Sequence, residues 1–299
     1  MGKDFFDNFA VARATFEEAD DLLRRPLSRI IFEGPSQLLT ETKNSQVGIY
    51  TVSVAILRVV EELHGIRPYI CSGLSLGEYT ALTAGGWLKF SDGLPLVEKR
   101  GAFMDAACEQ QSGKMAVILG LATAVVEKTV QEIGLQESAL KDELWIANYN
   151  CPGQVVLSGT ARAIEVAIAA AKAAGAKRAL LLDVHGAFHS GLMAPARERL
   201  APFLEEAPLM QGEAHLVMNV SGKLVPKLGD MRQNLIYQIT RSVLWEQGIS
   251  EIEKEGVGLY IGFGPGKTLA GLNKQIGVKA PTLTIDKVED LHLLSERNA

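Results

Sequence analysis

Between Lys114 and Val184 the chain alternates in a way that few folds accept. Met115 to Leu119 reads as a strand and Thr123 to Ile133 as a helix. Leu144 to Ala147 and Val155 to Ser158 read as two strands joined by a loop that holds Asn150 and Pro152-Gly153. Ala161 to Ala174 is an Ala-rich helix closed by Gly175, and Arg178 to Val184 is a last strand. The order β-α-β-β-α-β is that of a ferredoxin-like unit. The flanking sequence has another character. Ser45 to Leu63 is apolar nearly all round, as a helix buried inside a large domain must be, with Ser45 as its N-cap. Pro68 to Ser72 is a short strand that runs into Gly73-Leu74-Ser75-Leu76-Gly77, and Glu78 to Leu82 reads as helix. His215 to Val220 and Gly258 to Phe263 read as buried strands, each followed by a Gly-containing turn. The expectation is a large α/β domain over 1–112 and 186–299, interrupted by a small ferredoxin-like domain at 113–185. A chain of 299 residues can bury cores for both.

Composition removes several functional classes. The formal net charge of −5 argues against a nucleic-acid binder. Cys71, Cys108 and Cys151 are odd in number and far apart, which fits neither a metal site nor a redox pair and points to a reducing, cytoplasmic setting. The N-terminus has no apolar signal core, Phe6 spoils a myristoylation match, and no apolar run is long enough to span a bilayer.

Gly73-Leu74-Ser75-Leu76-Gly77 matches G-x-S-x-G at a strand-turn-helix junction. A sharp turn there pushes the serine out of the fold, and the glycines let the backbone pass closely. The helix that follows aims its N-terminal N–H groups at the site, so the Leu76 N–H is the natural oxyanion donor. The same pattern also occurs as an ordinary Gly-rich turn between strand and helix. A serine nucleophile needs a base, and the chain has five histidines. His64 and His292 read as surface residues and His215 as structural. His185 and His189 flank Gly186-Ala187-Phe188 beyond the small domain's last strand, where a cleft is expected, and periodicity does not choose between them. Arg100 sits in a helical stretch. It reads either as a solvated arginine or as a fork for a substrate carboxylate. Gly262-Phe263-Gly264-Pro265-Gly266-Lys267-Thr268 is no phosphate loop, because Ile261 stands where a glycine is required and Pro265 lacks an N–H.

Taken together these segments resemble the malonyl-CoA:acyl carrier protein transacylases and, more distantly, the acyltransferase domains of fatty-acid and polyketide synthases. Gly73-Leu74-Ser75-Leu76-Gly77-Glu78-Tyr79 is similar to the family's G-H-S-x-G-E-Y elbow, and Lys99-Arg100-Gly101-Ala102-Phe103-Met104 to its R-G-x-x-M helix. Asn148 to Gln154 resembles its N-x-N-x-P-x-Q segment, Gly186-Ala187-Phe188-His189-Ser190 its histidine loop, and Gly264 to Leu269 its G-P-G-K-x-L turn. The resemblance implies a hydrolase-like α/β domain with a parallel sheet and a ferredoxin-like insert. It makes Ser75 the nucleophile, His189 rather than His185 the base, and Arg100 the ligand of the malonyl carboxylate. Met104 belongs to the same substrate-binding helix. Phe188 looks like the bulky residue that crowds an α-methyl branch, and Gln46 helps line the pocket. Three departures stand out. Leu74 replaces the family's histidine. Leu244 takes the place of a glutamine whose backbone carbonyl orients the base. The family's first strand and its P-G-Q-G-S-Q turn, with a second oxyanion donor, precede the segment that Met1-Gly2-Lys3-Asp4 resembles, so an internal start or a shortened chain with an unpaired sheet neighbour is expected.

The implied chemistry is a ping-pong transfer in a cleft between the domains, from malonyl-CoA to the phosphopantetheine thiol of acyl carrier protein. It needs no metal or bound cofactor, nucleic acid or membrane, and the expected state is a monomer. A local basic patch is expected for the acidic carrier protein. Two other readings compete. A serine esterase or thioesterase would need an acid such as Asp92, Asp105, Asp142 or Asp183 between Ser75 and His189. A non-catalytic module would bind carrier protein and never acquire an acyl group.

Overall fold

The computed structural model of the protein describes residues 1–184 and 186–295. The chain forms two compact units: Met1–Gly101 with Ala207–Val217 and Ile252–Ala299, and Ala102–Glu206 with Met218–Glu251.

The first unit is built on the helix Thr42–His64, whose Val47, Tyr50, Val52, Val54, Ile56, Val59 and Val60 are all buried. Apolar side chains on every face leave no stripe for solvent, so the helix takes the middle of the core. It begins three residues earlier than its apolar pattern marks. Ser45 lies inside the first turns, where its hydroxyl donates to the Thr42 carbonyl at 3.3 Å, and Glu41 is the cap without a side-chain bond. Burial hid the start, since polar Thr42 and Asn44 are themselves enclosed. The helix stops at Gly65 with φ 61°, a left-handed cap that glycine adopts at little cost. It packs on the helix Ala10–Leu23, where Arg58 donates to Glu18 at 2.7 Å and to Thr15 at 2.9 Å.

The elbow strand is short. Ile70–Cys71 pairs in parallel with the strand His215–Met218, in register Ile70 with His215 and Cys71 with Leu216. His215 is exposed, its ring edge-on to Tyr69 at 5.1 Å, because it opens the strand rather than lying within it. His64 is half-buried rather than on the surface, with Nε2 enclosed, whereas His292 is exposed as expected. Tyr260–Phe263 and Thr282–Ile285 form a second parallel pair, linked by the helix Thr268–Ile276. The Tyr260–Phe263 strand is half-buried rather than buried, since an apolar run does not report how many neighbours cover it. Gly264 and Gly266, with φ 119° and 89°, form the turn after it. The Gly266 N–H donates to the Asp286 carboxylate at 3.1 Å, which fits a structural turn and not an anion nest.

The second unit holds the ferredoxin-like sheet. Its strands Arg178–Leu181, Lys114–Leu119, Gln154–Gly159 and Leu144–Cys151 lie side by side in that order, each antiparallel to its neighbour. The helices Thr123–Gln136 and Ala161–Ala173 pack against Ile118, Leu144, Val155 and Leu157 through Val126, Ile133, Ile164 and Ala167. Thr160 caps the second helix by accepting from the Ala163 N–H at 3.3 Å, a bond worth about 1 kcal/mol. Asn150 sits in the Leu144–Cys151 strand and not in a loop, because the connection shrinks to Pro152-Gly153, with Gly153 at φ 76°. A fifth strand, Val243–Leu244, extends this sheet by pairing in parallel with Asn148 and Tyr149. Among the described residues, no helix is long and apolar enough to cross a membrane.

Candidate active site

The nucleophile half lies in the first unit. Ser75 has φ 52°, a left-handed backbone that costs a residue with a Cβ about 1–3 kcal/mol. The turn is held by its own bonds: the Gly77 N–H donates to the Leu74 carbonyl at 2.9 Å, and the Glu78 N–H to the Ser75 carbonyl at 3.1 Å. Gly73 is obligatory there, since a Cβ on it would lie 2.0 Å from the Gly77 carbonyl. The helix Gly77–Ala84 then points its N-terminus back at the serine, with Leu76 as its cap residue in helical conformation. The Leu76 N–H takes no part in the turn bonds just named. Arg100, from the helix Phe90–Gln110, is 1 % exposed and donates one guanidinium nitrogen to Ser75 Oγ at 3.0 Å and another to Gln46 Oε1. Its guanidinium stands 5.8 Å from the Tyr79 ring centroid, and the Glu78 carboxylate is likewise buried. Burial pulls Arg100 below the usual guanidinium value, while Tyr79 and Glu78 act to raise it. The same burial pushes the Tyr79 phenol up to about 12. An arginine enclosed like this is not a solvated surface charge.

The histidine half lies in the second unit. His189 is 4 % exposed and also left-handed, with φ 58°. Its Nδ1 is 2.8 Å from the carbonyl oxygen of Gln238. A carbonyl only accepts, so Nδ1 carries the proton and Nε2 keeps its lone pair, the tautomer a general base requires. The Gln238 carbonyl belongs to the last residue of the helix Leu228–Gln238, where helix carbonyls lack an intrahelical donor. The loop before the ring is pinned twice. Ser190 Oγ donates to the Ala187 carbonyl at 2.6 Å, and a Cβ on Gly186 would lie 2.1 Å from Cys108 Sγ. In front of His189 is a cavity of about 410 Å³ bordered by Trp145, Tyr149, Thr240, Arg241 and Leu244.

The orienting carbonyl is therefore that of Gln238, and the expectation that Leu244 supplies it is corrected. Leu244 instead lies in the fifth sheet strand and lines the cavity. Sequence reasoning missed Gln238 because a backbone acceptor has no side-chain signature; its one signal was a helix end near a catalytic loop. Met104 is 2 % exposed, one turn beyond Arg100 on the same helix. Phe188 is half-buried and packs on Met115, Ala147 and Val156 of the inserted sheet. His185 lies outside the described residues. Among the described residues, no group of three His, Cys, Asp or Glu side chains could hold a metal ion.

A serine on a strained elbow, a buried guanidinium on its oxygen and a histidine held in the Nδ1-protonated tautomer are the working parts of serine-based acyl transfer. Residues 1–247 match the acyl transferase domain, and the chain belongs to that family. It is 39% identical over 293 residues to the malonyl CoA-acyl carrier protein transacylase of Bacillus subtilis (strain 168), covering 98% of this chain and 91% of that protein. It is 37% identical to the transacylase of the same name from Escherichia coli (strain K12), over 92% of this chain and 88% of that one. Among solved structures, a malonyl-transacylase in complex with a type II polyketide synthase acyl-carrier protein superposes with a TM-score of 0.94 at 35% identity, covering 100% of this chain and 95% of that one. The acyl-carrier-protein S-malonyltransferase of Bartonella henselae gives 0.92 at 36%, covering 99% and 94%. The resemblance read from the five motifs is borne out, and so is the expected fold, a large α/β domain with a small inserted one.

Proposed function

We propose that the protein transfers the malonyl group of malonyl-CoA to the phosphopantetheine thiol of acyl carrier protein, through a malonyl ester on Ser75, and so supplies fatty-acid biosynthesis. The observation that carries this reading is Arg100, buried and donating to Ser75 Oγ. A buried cation beside a nucleophile favours an acyl group that ends in a carboxylate, as malonyl does. Arg100 binds that carboxylate with Gln46 bracing the other side of the fork, Met104 lines the same pocket, and Phe188 crowds an α-methyl branch.

In the first half-reaction His189 Nε2 takes the Ser75 proton and Oγ bonds to the thioester carbonyl carbon. The Leu76 N–H stabilises the oxyanion. The C–S bond then breaks, and the CoA sulfur leaves with the proton from His189. In the second half the carrier thiol gives its proton to His189 and its sulfur attacks the ester. Ser75 Oγ leaves and recovers the proton. The Gln238 carbonyl holds the imidazole upright and balances its transient charge, as an acid does in a triad. That bond also speaks against the esterase reading, which needs a carboxylate at Nδ1. We assign 113–185 to the inserted domain and 1–112 with 186–299 to the large one, supported by the four antiparallel strands that all fall within 113–185. The reading places the enzyme in the cytoplasm as a monomer.

Intact mass after brief incubation with malonyl-CoA tests this. A malonyl-sized gain is expected, absent in Ser75→Ala, slowed in His189→Ala and weakened in Arg100→Ala. No gain in the unaltered protein, with carrier protein still bound, would favour the non-catalytic module instead.

A further inference from the structure

No step of the acyl transfer draws on Arg241, yet Arg241 stands at the edge of the cavity that holds His189. It is exposed, and its guanidinium lies 4.5 Å from the centroid of the Tyr237 ring. Arg197 approaches the same ring at 5.8 Å. Stacking on an aromatic face fixes a guanidinium plane while leaving its N–H fork free to meet a planar or tetrahedral anion two bonds at a time. Among the described residues, no carboxylate pairs with Arg241, whereas Arg197 is 3.8 Å from Glu198. The cavity behind it, about 410 Å³, is much larger than a malonyl group and falls in the range of sites for extended ligands. Trp145, Tyr149 and Leu244 give it apolar walls, and Thr240 and Ser242 add hydroxyls. A guest that fits is long, partly apolar and phosphorylated at its outer end, with its reacting atom toward His189.

We infer that Arg241 binds the phosphate of the 4′-phosphopantetheine arm, the one chemical group that donor and acceptor share. This deepens the malonyl-transfer reading and rests on it. Phosphate recognition by a stacked arginine would serve both half-reactions from one position, and the apolar walls would guide the arm that follows.

The test compares two synthetic donors that differ in the phosphate alone, malonyl-4′-phosphopantetheine and malonyl-pantetheine, by kcat/KM for malonylation of Ser75. The unaltered protein should prefer the phosphorylated donor about tenfold or more, mainly through KM, as a charge-assisted pair predicts. Arg241→Gln should bring the ratio close to one, Arg241→Lys should keep part of it, and Arg162→Ala, outside the cavity, should leave it as in the unaltered protein. Added salt should shrink the ratio. A wild-type ratio near one, or an Arg241→Gln ratio as large as wild type, overturns the assignment. Malonylation by neither donor overturns the malonyl-transfer reading and this one with it, whereas equal malonylation by both overturns this one alone.

Discussion

Ser75 and His189 are two of only three non-glycine residues with positive φ among those described, the other being Arg24. Side chains with a Cβ avoid that region, so the surrounding bonds must impose it. The strain has a direct signature. Ser75→Gly and Ser75→Ala both remove the hydroxyl, but only glycine relieves the backbone. Ser75→Gly should melt above Ser75→Ala by the equivalent of about 1 kcal/mol, and His189→Gly above His189→Ala likewise. Equal melting temperatures in each pair would mean that the left-handed turns carry no strain. Arg100 makes the complementary chemical prediction. Arg100→Ala should lower kcat/KM for malonyl-CoA by about 10- to 100-fold, the worth of a charged hydrogen bond, and lower acetyl-CoA turnover far less. A parallel loss with both donors would show that Arg100 serves Ser75 and not the carboxylate. At this scale the sequence was informative. Ser75, Arg100 and Gln46 were all named from it, and these three are joined by hydrogen bonds. It left Arg100 open between a surface charge and a ligand, because the polarity of a side chain does not report its burial.

At the scale of elements, the base depends on two helix and strand ends. The Gln238 carbonyl closes one helix, and a few residues later Val243–Leu244 joins the inserted sheet. Ser242 Oγ ties the same stretch to the Ile146 carbonyl at 2.5 Å. The small domain's sheet thus anchors the segment that orients His189. Ser242→Ala should slow single-turnover malonylation of Ser75 several-fold while costing only about 1 kcal/mol of stability, since misplacing a catalytic group costs more in rate than the lost bond costs in folding. A stability loss with an unchanged rate would show that the tether does not reach the ring. The elements of the insert were legible because short apolar runs, buried along most of their length as in Gln154–Gly159, are separated by helical stretches and by turn residues such as Pro152-Gly153 and Gly175. The helix start at Thr42 and the half-buried strand Tyr260–Phe263 were not, because both depend on which neighbours cover them.

For the molecule as a whole, the three cysteines report on the state of both cores. Burial pushes Cys71 up to about 12 and Cys108 and Cys151 up to about 11, from an ordinary 9.0, so all three remain neutral thiols at neutral pH. Folded protein should react slowly with a disulfide dye, and denatured protein should release three thiols at once; a fast native phase would contradict the burial. The linkage has a definite sign. The unfolded thiols ionise near 9.0 and the folded ones do not, so their contribution to stability is complete below that pH and is lost as pH rises toward 11–12. Denaturant midpoints measured from pH 8 to pH 10.5 should fall, and Cys71→Ala with Cys108→Ala should flatten the fall. The sequence by itself determined the fold class, the order of strands and helices in the insert, and the residue types that carry acyl transfer, because those follow from local periodicity and from side chains that only certain chemistry uses. Tertiary structure alone decided that Arg100 is enclosed, that the Gln238 carbonyl rather than that of Leu244 holds the imidazole, and that Arg241 stands stacked at a cavity. Burial, backbone acceptors and stacking are relations between distant parts of the chain, and no single segment encodes them.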